Sequence, residues 1–162
     1  MAGRLKKVCK LQEGKHFVVR DLPRSMDQLR KMPHFEFQNW AVNALGGIPS
    51  KTKTGDKGID GKIYPVASLP GEAAKVEQGE FDFMDIWYPV QVKQTDKAGR
   101  PDIDSFEAVM VRERRTKGFF VSFDYTEGAI TEIGGFFKNT GKVIVPLTVR
   151  EILDEEIAMK LA

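Results

Sequence analysis

The segment GIDGKIY at residues 58–64, followed by IWYPVQVK at residues 86–93, decides the fold. Each segment is a short run rich in β-branched and aromatic side chains, which is typical of a β-strand. Between them, residues 65–85 hold two prolines, two glycines and mostly polar or acidic side chains. This composition predicts a long hairpin connection or a small insertion between two neighbouring strands.

The alternation of side chains along a strand predicts which residues share a face. In the first strand, Ile59 and Ile63 are predicted to lie on one face, with Asp60 on the other. In the second strand, Gln91 and Lys93 are predicted to share a face. A hairpin would therefore bring Asp60 beside the Gln-x-Lys pair.

The rest of the chain alternates between helical and strand patterns. Helices are predicted at 34–45, from Pro101 to about residue 112, at 126–138 with Ala129, Ile130, Ile133 and Phe137 inward, and from Thr148 onward, where Thr148 and Glu151 form a capping box. Strands are predicted at 118–123 and 143–147, with a peripheral strand or extended arm at 15–20. The order predicts an α/β fold, a mixed sheet flanked by helices.

The composition sets limits on the class of protein. A chain of 162 residues with 41% hydrophobic content suits a single domain over 1–162, with a basic arm at 1–31, a core at 32–155 and the insertion at 65–85. The net charge of +2 gives no argument for nucleic-acid binding. A single cysteine, Cys9, excludes an intramolecular disulfide and suits a cytoplasmic protein, and no apolar run is long enough to predict a membrane span.

The acidic residue and the Gln-x-Lys pair suit metal-assisted hydrolysis of a phosphodiester. Mg²⁺ prefers oxygen ligands, and Asp60 offers a carboxylate. Gln91 offers an amide oxygen or positions a metal-bound water, and Lys93 can orient the attacking water and stabilise phosphate charge. A second acidic contribution would come from Glu36 on the first helix, although the helix register could select Gln38 instead.

Three lysines precede the first strand in a loop rich in threonine and glycine. Lys51, Lys53 and Lys57 could contact phosphates beside the scissile bond, or they could belong to a solubilising loop.

The ordered set of motifs resembles a known family. GDKGIDGKIY at 55–64, PVQVK at 89–93 and the following Pro-Asp-Ile-x-x-Phe helix resemble the Mrr-like restriction endonuclease domain of the PD-(D/E)xK superfamily, in its Gln-x-Lys variant. The helix FEFQNWAV at 35–42 is most similar to the nuclease-like domain attached to adenine-specific DNA methyltransferases. The resemblance covers roughly residues 17–155. The stretch 65–85 is longer than the family's hairpin connection, and the chain has no methyltransferase motif.

The resemblance implies a restriction-endonuclease-like three-layer sandwich and a magnesium-dependent DNA endonuclease, with Mn²⁺ as a possible substitute. It assigns the metal-binding aspartate to Asp60, the sheet motif to Gln91 and Lys93, and the helix acid to Glu36. The implied partners are double-stranded DNA, a DNA methyltransferase domain or subunit, and a second copy of the chain. The alternative is a non-catalytic DNA-binding or target-sensing module that retains the fold.

Overall fold

The computed structural model describes residues 25–50, 58–65 and 86–154. The helices are α1 Met26–Lys31, α2 His34–Ala44, α3 Arg100–Arg112, α4 Glu127–Thr140 and α5 Val149–Leu153. The strands are β1 Ile48–Pro49, β2 Gly61–Ile63, β3 Tyr88–Val92, β4 Lys117–Ser122 and β5 Val143–Thr148. The predicted strand at 15–20 and almost all of the predicted insertion at 65–85 lie outside the described residues.

The five strands form one mixed sheet in the order β1-β2-β3-β4-β5. The strand β2 is antiparallel to both of its neighbours, β1 and β3, whereas β3, β4 and β5 are parallel. The prediction of an α/β fold with a mixed sheet is confirmed. A proline cannot donate a backbone hydrogen bond to a neighbouring strand, which predicts an edge or a bulge at Pro89. The strand β3 is not at an edge, because it lies between β2 and β4. A proline is compatible with this position because β4 pairs with β3 only from Val90 onward.

Helices cover both faces of the sheet, and each face has its own hydrophobic cluster. The α2-side cluster joins α1, α2 and α5 to the sheet through Phe37, Val42, Val90, Val92, Phe119, Val121 and Leu147. The α3-side cluster joins α3 and α4 to the other face through Ile59, Ile103, Phe106, Met110, Phe120, Phe136 and Ile144. Consecutive residues of β4 thus enter opposite clusters, as the pleat of a strand requires.

Helix α4 is rotated relative to its prediction. Ala129, Ile133 and Phe136 belong to the α3-side cluster, whereas Ile130 and Phe137 are 49% and 54% exposed. The expected inward positions of Ile130 and Phe137 are wrong because the buried stripe follows an i, i+4, i+7 spacing from Ala129.

The capping box of the last helix is confirmed. Thr148 accepts a hydrogen bond from the Glu151 amide, and the Glu151 carboxylate accepts one from the Thr148 amide. The described part of this helix, α5, ends at Leu153, and residues 155–162 lie outside the described range.

In the described part of the chain, no helix is both long enough and apolar enough to cross a membrane.

Candidate active site

Asp60 lies one residue before β2, at the point where β2 begins to pair with β3. Its amide donates to the Val90 carbonyl at 2.8 Å, and its carboxylate Oδ2 accepts a hydrogen bond from the Val92 amide at 2.7 Å. The carboxylate therefore replaces a backbone carbonyl as the partner of β3. This contact places it directly beside the peptide group between Gln91 and Val92.

Glycines allow this close approach of the chain to its neighbours. Gly58 has φ +87°, a conformation that favours glycine. At Gly61, a Cβ atom would collide with Val42 of α2. The glycines of GIDG therefore allow the turn before Asp60 and the direct packing of β2 against α2.

The prediction that Ile59 and Ile63 share a face is wrong. Ile59 belongs to the α3-side cluster, whereas Ile63 packs against the α2-side cluster. Regular strand pairing begins only at Gly61, so the period-2 rule does not extend back to Ile59.

Helix α2 contributes an amide to the site. Gln38 Nε2 donates to Asp60 Oδ1 at 2.6 Å, so the two carboxylate oxygens of Asp60 are held from two elements. Glu36, two residues earlier on the same helix, has an exposed side chain. Of the two register alternatives, the described contact with Asp60 is thus made by Gln38 rather than by Glu36.

Gln91 is buried, with only 8% of its surface exposed. Its Oε1 atom is buried and has no hydrogen-bond partner among the described residues. An unsatisfied polar atom in such a position costs about 1–3 kcal/mol. Because buried amides are normally satisfied, this oxygen has the capacity to accept a further donor or to bind a cation.

Lys93 continues β3 past its last paired residue. Its amide donates to the Val121 carbonyl at 2.8 Å, and its Nζ lies 3.4 Å from Asp102 Oδ1 in the first turn of α3. The two side chains are 36% and 31% exposed. Lys93 thus approaches from the α3 side, whereas the Gln38 contact holds Asp60 from the α2 side. The site lies at the end of β3, between the two helix layers.

The three loop lysines, for which the sequence allows either phosphate contact or a solubilising role, lie outside the described residues: Lys51, Lys53 and Lys57.

Gln94, immediately after Lys93, links the strand to the junction between α1 and α2. Its Nε2 donates to the carbonyls of Leu29 at 2.9 Å and Met32 at 2.8 Å, and its Oε1 lies 3.3 Å from His34 Nδ1. Sequence reasoning missed this residue. A polar side chain after Gln-x-Lys carries no signal of its partners, which are backbone groups more than sixty residues away in sequence.

A separate acidic cluster joins α3 and α4. Asp104, Glu107 and Glu132 each place a carboxylate oxygen within 4.8 Å of the others, and Arg100 Nη2 lies 2.9 Å from Glu132. Burial, and then the neighbouring charges of Glu132 and Asp104, raise the pKa of Glu107, while Arg100 opposes this effect. Arg100 thus offsets part of the cluster's negative charge.

The chain matches no protein-family model, no curated protein and no solved structure with which it was compared.

Proposed function

We propose that the chain is a magnesium-dependent DNA endonuclease with a restriction-endonuclease-like fold. The observation that carries the proposal is the hydrogen bond from the Val92 amide to Asp60 Oδ2. Val92 is the middle residue of the Gln-x-Lys motif, so this bond joins the carboxylate to the backbone between the two residues with which it would work. The mixed sheet with helices on both faces supports the same proposal.

The donor set fits a hard cation. Asp60 supplies a carboxylate, and Gln91 supplies a buried amide oxygen that has no partner among the described residues. Gln38 can rotate its side-chain amide by half a turn and present its oxygen instead of its nitrogen. We assign Asp60 and Gln91 as the residues that would hold Mg²⁺, with Gln38 beside them.

When bound, Mg²⁺ would polarise the phosphoryl oxygen and lower the pKa of the attacking water. Lys93 supplies the positive charge of the chain itself. Its ammonium would lie against a non-bridging phosphate oxygen and stabilise the negative charge that develops there. The same group can donate a hydrogen bond to the attacking water and orient it.

The biological setting follows from the resemblance of the motifs. Restriction or modification-dependent cleavage of double-stranded DNA in the cytoplasm is the proposed role, in association with a DNA methyltransferase. A double-strand cut commonly uses two active sites, which a homodimer would provide.

One observation favours a second candidate, a DNA-binding or target-sensing module without catalysis. The proposed site has a single carboxylate, that of Asp60. Its other two oxygen donors would be neutral amides: Gln38, which contacts Asp60, and the buried Gln91. A cation site with fewer carboxylates binds Mg²⁺ more weakly. Lys93 and the surrounding surface would then serve to contact phosphates only.

Cleavage of plasmid DNA separates the two candidates. Adenine-methylated and unmethylated plasmids are incubated with the full chain and Mg²⁺ or Mn²⁺, with EDTA as the control. The variant Asp60→Asn is included because asparagine can still accept the hydrogen bond from the Val92 amide. The endonuclease predicts nicked or linear product that disappears with EDTA and in this variant. Retained DNA binding with no product on either plasmid would contradict it and favour the sensing module.

A further inference from the structure

The ion pair between Lys93 and Asp102 distinguishes this lysine from an ordinary surface lysine. Lys93 Nζ lies 3.4 Å from Asp102 Oδ1, and about two thirds of each side chain is buried. The pair joins the last residue of the candidate site to the first turn of α3. The position of the ammonium group therefore depends on where α3 holds its carboxylate.

The start of helix α3 holds Asp102 in place independently of Lys93. Its Oδ2 accepts a hydrogen bond from the Gly99 amide at 3.0 Å, and its own amide donates to the Gly99 carbonyl at 3.1 Å. Pro101 stands at the start of the helix and restricts the backbone there. Both carboxylate oxygens are thus engaged, one by the backbone and one by the lysine.

The fixed position of Asp102 reduces the loss of side-chain freedom that usually weakens a surface ion pair. Such pairs contribute little to stability because two long side chains lose rotamer freedom when they meet. In this pair the aspartate is already immobilised by the helix start, and the backbone of Lys93 is fixed by its bond to Val121. The remaining freedom is that of the lysine side chain, which the carboxylate then restricts.

The neighbouring acid on α3 does not share this role. Asp104 Oδ1 lies 3.7 Å from Arg100 Nε, and Asp104 belongs to the acidic cluster with Glu107 and Glu132. Asp102 and Asp104 lie two residues apart on one helix but have different partners. Asp104 is thus a matched control for Asp102.

We propose that Asp102 is a positioning residue that holds the Lys93 ammonium where the scissile phosphate binds. This inference rests on the proposed endonuclease function. Asp102 acts through the lysine and touches neither the DNA nor the metal. A carboxylate near the proposed phosphate position would repel the phosphate, so removing its charge should not weaken DNA binding.

Three variants of the full chain test this role in the plasmid assay with Mg²⁺. Asp102→Asn keeps an oxygen for the Gly99 amide but removes the charge that holds the lysine. Asp102→Glu keeps the charge on a longer side chain, and Asp104→Asn is the control. For each variant, kcat and KM for DNA are measured separately, with the melting temperature alongside.

We expect Asp102→Asn to lower kcat by roughly ten- to a hundredfold, because a displacement of about 1 Å costs rates of this order. Its KM should be unchanged or lower, and its melting temperature should stay within about 4 °C of the wild type. Asp102→Glu should recover part of the lost kcat, and Asp104→Asn should match the wild type.

Some results would refute the positioning role of Asp102 while leaving the proposed endonuclease function intact. If the wild type cleaves DNA and Asp102→Asn has the kcat of Asp104→Asn, Asp102 only caps the helix. The same conclusion follows if kcat falls only in proportion to the folded fraction. A wild type that fails to cleave would instead refute the endonuclease. In that case, NMR relaxation measures the mobility of the Lys93 side chain without any need for cleavage. If this mobility is the same in Asp102→Asn as in the wild type, the positioning role is refuted as well.

Discussion

Replacing Asp60 with alanine should destabilise the fold, apart from any effect on catalysis. The carboxylate accepts hydrogen bonds from the Val92 amide at 2.7 Å and from Gln38 Nε2 at 2.6 Å. Val92 is only 2% exposed, so water cannot easily take the place of the lost acceptor. Asp60 thus has a structural task as well as its proposed task at the metal.

The magnitude follows from these two bonds. A hydrogen bond to a charged group contributes about 1.5–3 kcal/mol, and a buried donor left without an acceptor costs a similar amount. The side chain of Gln38 is half-buried and can turn toward solvent. The loss of its hydrogen bond to Asp60 therefore adds less to the destabilisation. We expect Asp60→Ala to lower the free energy of unfolding by about 3 kcal/mol.

Asparagine at the same position should cost much less. Its side-chain oxygen can accept from the Val92 amide, and the Gln38 amide can rotate to accept from the new NH₂ group. We expect Asp60→Asn to lower the free energy of unfolding by about 1 kcal/mol, since only the charge is lost.

Urea denaturation followed by circular dichroism measures both values. Asp96→Ala is the control, because Asp96 is 81% exposed and its pair with Arg30 should contribute at most about 1 kcal/mol. If Asp60→Ala unfolds at the same urea concentration as Asp96→Ala, the carboxylate is not a partner of β3 and the site geometry is wrong.

Three further predictions concern the packing and charges around the site. Gly61→Ala should lower the free energy of unfolding by about 2 kcal/mol or more, because the new Cβ would collide with Val42. Gly134→Ala, on an open helix surface, should raise it by about 0.5–1 kcal/mol. Equal effects in urea denaturation would contradict the close approach of Gly61 to Val42. Gln94→Ala should cost about 2 kcal/mol by the same measurement because the carbonyls at the α1–α2 junction lose their donor, and an unchanged midpoint would refute this link. The pKa of Glu107 is raised in the folded state, so ionisation of its carboxyl destabilises the fold as pH rises through the folded-state pKa. Below the unfolded-state pKa the carboxyl is protonated in both states and this destabilisation is absent. Thermal scans of Glu107→Gln should therefore show a gain in melting temperature at neutral pH that disappears in acid, and a gain equal at all pH values would contradict the assignment.

Local patterns in the sequence predicted most of the fold. The apolar spacing of α2, the β-branched composition of β4 and the capping box of α5 each depend on neighbours within one element. The helix α1 and the strand β1 were not predicted. β1 is two residues long and exists only through its pairing with β2, so no local pattern signals it.

The candidate site was predictable in its residue types but not in its contacts. Asp60 and the Gln-x-Lys pair stand out because charged and amide side chains interrupt apolar strands. The choice of Gln38 over Glu36 depends on the rotation of α2 against the sheet, which the sequence leaves open. The partnership of Lys93 with Asp102 depends on how α3 begins after β3, and the bonds of Gln94 depend on where α1 ends.

Cleavage by Lys93→Ala beside Lys97→Ala tests the central proposal most directly. Lys97 lies four residues later, with its Nζ 3.4 Å from Asp124 Oδ2 and its side chain 62% exposed, so it matches Lys93 in charge but lies outside the proposed site. With Mg²⁺ and plasmid DNA, the endonuclease predicts that Lys97→Ala cuts at the wild-type rate and that Lys93→Ala is slower by about a hundredfold or more. Equal rates for the two variants, or no cutting by the wild type, would contradict it.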